Sequence, residues 1–158
     1  MFAMDETLNG RAVFADCEIS KGEEVLVLKG EFLQNKDIAP GSYEEEHSIQ
    51  IGKDLYLGPS GELDDFINHS CSPNTGLKMI GGKLILVAIK KIRKGDEICF
   101  DYSTSMAEDR WEMNCSCGSK NCRKLIRDFK HLPKKVKQKY LKTGIVPEYI
   151  YSGGAYFF

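Results

Sequence analysis

From Val13 onward, short apolar runs alternate with turn residues, the pattern of a chain built from brief strands rather than long helices. Glu24-Val25-Leu26-Val27-Leu28 has strand composition and follows a turn at Ser20-Lys21-Gly22. Leu77-Lys78-Met79-Ile80, then Gly81-Gly82, then Leu84-Ile85-Leu86-Val87-Ala88-Ile89 predicts a hairpin, because two glycines supply the positive φ angles of a tight turn. Ile98-Cys99-Phe100 is a further apolar strand. Arg93-Lys94-Gly95-Asp96-Glu97-Ile98 echoes Ser20-Lys21-Gly22-Glu23-Glu24-Val25, an echo too short for a repeat architecture, which predicts one turn design used twice. Helical signals are few. Pro133 opens a helix over 134–141 that Gly144 and Pro147 end, with Val136, Tyr140 and Leu141 on its buried face. Residues 62–67 read as one helical turn, and 35–46 as a loop or short helix. The fold class is mainly β with minor α. The absence of a βαβ rhythm, of a GxGxxG string and of a phosphate loop excludes a doubly wound nucleotide fold.

A chain of 158 residues suits one domain with a sizeable core. No apolar run reaches the length of a membrane span, and the first ten residues carry Asp5 and Glu6 without a leader pattern, so a cytosolic or nuclear protein is expected. The net charge of −1 hides an asymmetry: residues 1–65 hold 15 acidic and 5 basic side chains, and residues 120–142 hold 10 basic and 1 acidic. The basic tail reads either as a solvated helix face or as a surface that attracts nucleic acid or nucleoprotein in a salt-dependent way.

Six cysteines in such a chain point to metal rather than disulfides, given the Cys-x-Cys-x4-Cys spacing of Cys115, Cys117 and Cys122. A structural zinc site needs a fourth ligand, and Cys71 is the natural candidate. Cys17 and Cys99, set among apolar neighbours, read as buried free thiols.

Four strings then stand together: Gly10-Arg11-Ala12-Val13-Phe14-Ala15; Phe66-Ile67-Asn68-His69-Ser70-Cys71-Ser72-Pro73-Asn74; Gly95-Asp96-Glu97-Ile98-Cys99-Phe100-Asp101-Tyr102; and Cys115-Ser116-Cys117-Gly118 with Asn121-Cys122-Arg123. In order and spacing they resemble the SET-domain protein-lysine methyltransferases over about residues 9–125, with a post-SET cysteine element and no pre-SET region, a minimal form. The resemblance implies small curved β-sheets around a knot-like crossing of the Asn68 and Tyr102 segments, followed by a zinc element and a helix. The implied division is a SET domain over 1–108, a post-SET zinc segment over 109–126 and a basic helix with an aromatic tail over 127–158, packed on the domain.

The same resemblance implies S-adenosylmethionine held by Arg11, Ala12, Val13, His47, Asn68, His69 and Tyr102, and one structural Zn2+ on Cys71, Cys115, Cys117 and Cys122. It makes Tyr102 the residue that aligns methyl transfer to a lysine amine of a protein substrate, and Phe100 the position that sets how many methyl groups fit. On their own, Asn68 reads as an Asx turn, His69 as a structural histidine and Phe100 as a core aromatic. His47 and Trp111 either line the site or pack. Asp101 is expected in a hydrogen bond rather than as a base. Ala12 stands where a second glycine is common, and Leu28 where many members place a channel tyrosine. The expected activity is S-adenosylmethionine-dependent protein-lysine N-methylation. The competing readings are a noncatalytic SET-like module that binds nucleic acid or nucleoprotein through the tail, and a small zinc-binding interaction protein. No membrane partner is expected, and cytoplasm is favoured over nucleus for a minimal form. The end Tyr156-Phe157-Phe158 suits packing on the domain, covering the channel or contacting a second copy.

Overall fold

The computed structural model describes residues 2–7 and 10–152, so the aromatic end Tyr156-Phe157-Phe158 lies outside the described residues. The strands are β1 (Phe2–Thr7), β2 (Gly10–Ala15), β3 (Glu24–Val27), β4 (Phe32–Gln34), β5 (Ile49–Gly52), β6 (Leu55–Leu57), β7 (Asn68–His69), β8 (Thr75–Ile80), β9 (Lys83–Ala88), β10 (Cys99–Phe100), β11 (Glu112–Asn114) and β12 (Leu125–Arg127). The helices are α1 (Tyr43–His47), α2 (Lys134–Thr143) and α3 (Glu148–Tyr151), with 3-10 turns at Asn35–Asp37, Leu63–Phe66, Tyr102–Thr104 and Phe129–His131. Among the described residues the strands form five small sheets: β1-β2, β3-β9-β8, β4-β6-β5, β11-β12 and the parallel pair β7-β10.

The hairpin β8-β9 forms as the pattern predicts, with Gly81 at φ +56° and Gly82 at φ +75°, the paired left-handed geometry of a type I′ turn. β9 is buried from Leu84 to Ala88, and Leu84, Leu86 and Ala88 join Leu77, Val13, Ile92 and Ile98 in the main core. Each aliphatic side chain so buried contributes about 1.5–3 kcal/mol. The twice-used turn is real at the level of hydrogen bonds. Gly22 and Gly95 have φ +93° and +87°, and the Glu23 and Asp96 carboxylates accept the N–H groups of Ser20 and Arg93. An acid one residue after the glycine thus closes each turn onto its first residue.

α2 starts after Pro133 and ends at Gly144, whose φ of +67° and ψ of 36° give the left-handed C-cap. Tyr140 is buried and Val136 half-buried, but Leu141 is exposed. The predicted face was drawn one residue too wide, because the helix packs along the Val136-Tyr140 edge only. A second core beneath α2 and α3 unites Phe129, Leu132, Tyr140, Ile145, Val146, Tyr149 and Ile150. It is seated on β8 through Gly76, where an added Cβ would come within 2.4 Å of Ile145. Residues 62–67 hold a 3-10 turn, and 35–46 a 3-10 turn followed by the start of α1. Cys99 is half-buried, whereas Cys17 is exposed, correcting the expected buried thiol: it sits in the polar loop beyond β2, where its neighbours Asp16 and Glu18 are exposed too. Among the described residues no helix is long and apolar enough to cross a membrane.

Candidate functional site

β7 and β10 are only two residues each, and their parallel pairing sets Asn68 beside Cys99 and His69 beside Phe100. So short a pair needs side-chain bonds to hold it. The Asn68 amide donates to the Arg11 carbonyl at 3.1 Å and to Glu97 Oε1 at 3.0 Å, joining β2, β7 and the segment before β10. Asn74 donates to the Glu97 carbonyl at 2.7 Å and accepts the Cys99 N–H at 3.0 Å. Asp101 is 1% exposed, and its carboxylate is bound by both arms of the Arg123 guanidinium at 2.8 and 2.7 Å, by the Tyr140 hydroxyl at 2.9 Å and by the Ser103 N–H at 3.1 Å. Asp101 is therefore a structural acceptor, as expected, and a buried charge with this many partners is tolerated. Its partners come from the cysteine loop and from α2.

Tyr102 lies at the end of this frame. Its hydroxyl donates to the Ile67 carbonyl at 2.7 Å, and its ring is 4.9 Å from the Phe100 ring and 6.3 Å from Trp111. Burial pushes the phenol upward, with the nearby Cys99 and Glu97 charges adding to the effect, so the group stays protonated at neutral pH. A phenol whose proton is committed to a carbonyl still has lone pairs with which to accept a hydrogen bond.

Two clefts adjoin this point. The first, about 410 Å³, is lined by Arg11, Tyr43, His47, Ile67, Phe66, Phe100, Met106 and Trp111, with Glu45, Glu46, Asp64 and Asp65 on it. The second, about 300 Å³, is lined by His69, Ser70, Glu97, Cys99, Met113, Asn114 and the cysteine loop from Cys115 to Cys117. Asn68 and Tyr102 are the two residues common to both linings. Of the residues expected around the cofactor, Arg11 and His47 thus fall in the first cleft and His69 in the second. The buried Ala12 and Val13 line neither. Arg11 is the one Lys or Arg of the first cleft, its guanidinium 3.8 Å from the Phe66 ring centroid. His47 stacks on Tyr43, ring centroids 3.9 Å apart, so it both packs and lines. Phe100 is 4% exposed and also both fills the core and borders the cleft. Leu28 is buried in the main core and lines neither cleft, so its lack of a hydroxyl removes nothing from the walls seen here.

The cysteines converge as their spacing predicts. Cys71 and Cys115 sulfurs are 3.9 Å apart, and Cys115 and Cys122 3.7 Å, close to the roughly 3.8 Å edge of a tetrahedron with Zn–S bonds of about 2.3 Å. His69, Cys71, Cys115 and Cys117 present ligand atoms within 4.8 Å of one another, so His69 competes with Cys122 for the fourth position. The bonding of the imidazole favours Cys122. Nδ1 accepts the Tyr102 N–H at 3.1 Å, and burial brings the ring down to about 4 despite the attraction of Asp101. A neutral ring with Nδ1 accepting carries its proton on Nε2, which faces the Cys71 sulfur at 3.3 Å. His69 is then a donor to a ligand rather than a ligand, the outer-sphere role that fixes and steadies thiolates. The Arg123 N–H also donates to Cys71, at 3.3 Å.

Burial pushes the Cys71 thiol up and Cys115 to about 12, while Cys117, against its burial, is drawn down to about 6 by the Ser119 hydroxyl and neighbouring N–H groups. A divalent cation is what allows all four to be thiolates at once. The four thiols fit zinc in softness, and the Cys71–Cys115 and Cys115–Cys122 distances fit it in spacing, although Cys122 lies outside the group whose ligand atoms are all within 4.8 Å.

Sequence reasoning did not find the Asp101-Arg123-Tyr140 network or the role of Glu97 as acceptor for Asn68. Arg123 was in view beside Cys122, but nothing local to it indicates a partner 22 residues away.

This geometry, many small sheets around a short parallel pair with a cysteine loop closed over it, defines a class. The SET domain pattern matches residues 10–103, and the chain belongs to the SET-domain family. Relatives include the histone-lysine N-methyltransferase trithorax of Drosophila virilis, 30% identical over 131 residues, which cover 75% of this chain and 3% of that protein. The variant-silencing SET domain-containing protein of Plasmodium falciparum is 34% identical over 134 residues, covering 72% and 5%. The chain thus spans a small fraction of the relatives it matches. Among solved structures, KRYPTONITE in complex with mCHG DNA and SAH is similar with a TM-score of 0.65 at 25% identity, over 78% of this chain and 29% of that one. SUVH6 of Arabidopsis thaliana in complex with SAM matches with a TM-score of 0.67 at 21% identity, over 78% and 32%, a likeness of fold.

Proposed function

We propose that this protein is a protein-lysine N-methyltransferase that uses S-adenosylmethionine. The observation that carries this reading is the pair of clefts that have Asn68 and Tyr102 in common, an arrangement suited to two ligands that meet at one point. Family membership and relatives named as histone-lysine methyltransferases support it. S-adenosylmethionine, when bound, supplies a methyl group on an electrophilic sulfonium. Arg11 offers a cation to the carboxylate at one end of that molecule, and the polar lining of the second cleft suits its nucleoside end, with Asn68 between.

The substrate lysine fits the remainder of the first cleft. Its rim carries Glu45, Glu46, Asp64 and Asp65, which attract a basic segment, and its floor carries Phe100, Tyr102 and Trp111. Among aromatic rings the ammonium is poorly solvated, which lowers its pKa from about 10.4 and favours the neutral amine that reacts. Tyr102, its proton held on the Ile67 carbonyl, accepts an amine N–H and turns the nitrogen lone pair toward the methyl carbon. It is an orienting group, not a base. Zn2+ on Cys71, Cys115, Cys117 and Cys122 is structural, since a four-thiolate site has no open position.

The test is incubation of the purified chain with radiolabelled S-adenosylmethionine and core histones or whole-cell extract, beside Tyr102→Phe. Labelled protein from the parent and a loss on the order of 100-fold in the variant, the scale of a lost orienting contact, are expected. Full turnover by the variant would remove Tyr102 from the chemistry. No labelling of any protein, with zinc and fold intact, would favour a noncatalytic SET-like module.

A further inference from the structure

The largest cavity described, about 700 Å³, is neither of the two clefts above and has no lining residue in common with them. It is a groove between α2 on one side and, on the other, the loop after β7, the end of β9 and the tip of the cysteine loop. Its lining contains Lys21, Lys90, Lys120, Arg123 and Lys139 and not one Asp or Glu. Those five cations come from four separated stretches of sequence, Lys120 and Arg123 sharing the cysteine loop, so their convergence is a product of the fold rather than of a charge run. Arg123 is committed to Asp101, but none of the four lysines is ion-paired to an acidic side chain among the described residues. Among the other described lysines only Lys29, Lys91 and Lys130 are ion-paired, to Glu62, Glu18 and Asp109, so what sets the groove apart is the convergence of its lysines with no acid among them. All four groove lysines are exposed, and Lys135 and Lys142 extend the Lys139 edge by one helical turn in each direction.

We infer that this groove binds the phosphodiester backbone of nucleic acid. Unpaired lysines facing one another across a channel, with more along its rim, match a chain of regularly spaced phosphates better than one compact anion, which would need its charges at a single focus. The floor supports the same reading. Ile145, Val136 and Pro73 give it an apolar base, and its cations outnumber the short polar side chains Ser72, Asn121 and Thr143, so binding is carried by the backbone and is largely independent of sequence. The groove also borders Cys71 and Cys122, so one wall depends on an ordered cysteine loop. The binding itself does not depend on the methyltransferase reading, and its assay contains no methyl donor.

The experiment is fluorescence anisotropy of the zinc-loaded 158-residue chain with a labelled 20-base-pair duplex of arbitrary sequence, across a series of salt concentrations. Lys90→Gln, Lys120→Gln and Lys139→Gln are combined in one variant, and the exposed Lys36, Lys53 and Lys83 are changed to Gln in a control of equal charge. The groove variant is expected to lose at least about tenfold in affinity and to flatten the slope of log K against log salt by about 1 per lysine removed, with a second, unrelated duplex behaving alike. The control keeps most of both. Equal losses in the two variants, or an unchanged salt slope in the groove variant, overturn the assignment. So does inorganic tripolyphosphate saturating the groove under conditions where the duplex stays unbound. Because all three residues are exposed, retained zinc and an unchanged unfolding midpoint separate a lost contact from a lost fold.

Discussion

The parallel pair β7-β10 and the cysteine loop touch each other at His69, yet they are held by different means. Around the strand pair, polar groups find partners within the chain: Asn68 on Arg11 and Glu97, Asn74 on the β10 backbone, Asp101 on Arg123 and Tyr140. The cysteine loop instead gathers thiols at spacings that suit a cation, the Cys71 and Cys115 sulfurs 3.9 Å apart and those of Cys115 and Cys122 3.7 Å. One wall of the second cleft is thus held by the polypeptide's own hydrogen bonds, and the other carries a donor set that a metal would tie together.

The sharpest way to break that contrast is to remove a thiolate. Cys122→Ser should abolish stoichiometric zinc and loosen residues 115–127, seen as rapid amide exchange there, while the hairpin β8-β9 stays protected. His69→Gln, by contrast, should retain one zinc per chain and bind it 10- to 100-fold more weakly, as expected for loss of a donor to a ligand. If His69→Gln empties the site and Cys122→Ser does not, the histidine is the fourth ligand.

Next in size, Asp101→Ala leaves the Arg123 charge, 16% exposed, without its partner, and should cost about 3–5 kcal/mol in urea unfolding even with zinc saturating. An effect below 1 kcal/mol would mean that the β7-β10 pair does not depend on the network. The smallest effect is expected from Arg123→Lys, which keeps the charge but loses the two-armed contact, at about 1–2 kcal/mol. That variant should hold zinc normally, since only the Arg123 backbone reaches Cys71.

What could be read from the sequence follows the reach of each interaction. The glycine pair of the hairpin, the echoed turns and the Pro133 to Gly144 helix are set by residues within a few positions of one another, and the structure contains all of them. The joining of Cys71 to Cys115 spans 44 residues and was still foreseeable, because metal chemistry demands a fixed number of ligands. Leu141 was misplaced because a ten-residue helix does not reveal how wide its packed edge is. The exposure of Cys17 was missed because the apolar Ala15 and Ile19 two positions away outweighed its immediate neighbours Asp16 and Glu18, which keep the loop in solvent. Asp101 with Tyr140 left no trace at all: a buried carboxylate and a distant hydroxyl obey no period, and only the fold introduces them.

That pairing has a consequence for how the protein is made. Asp101 is synthesised well before the groups that neutralise and cap it, with Arg123 following by 22 residues and Tyr140 by 39. At about 5–20 residues per second, the nascent chain carries an unsatisfied acid for roughly two to eight seconds before its last partner is translated. The centre of the molecule therefore closes only once residue 140 has been produced, and a product released before it lacks the group that completes the network.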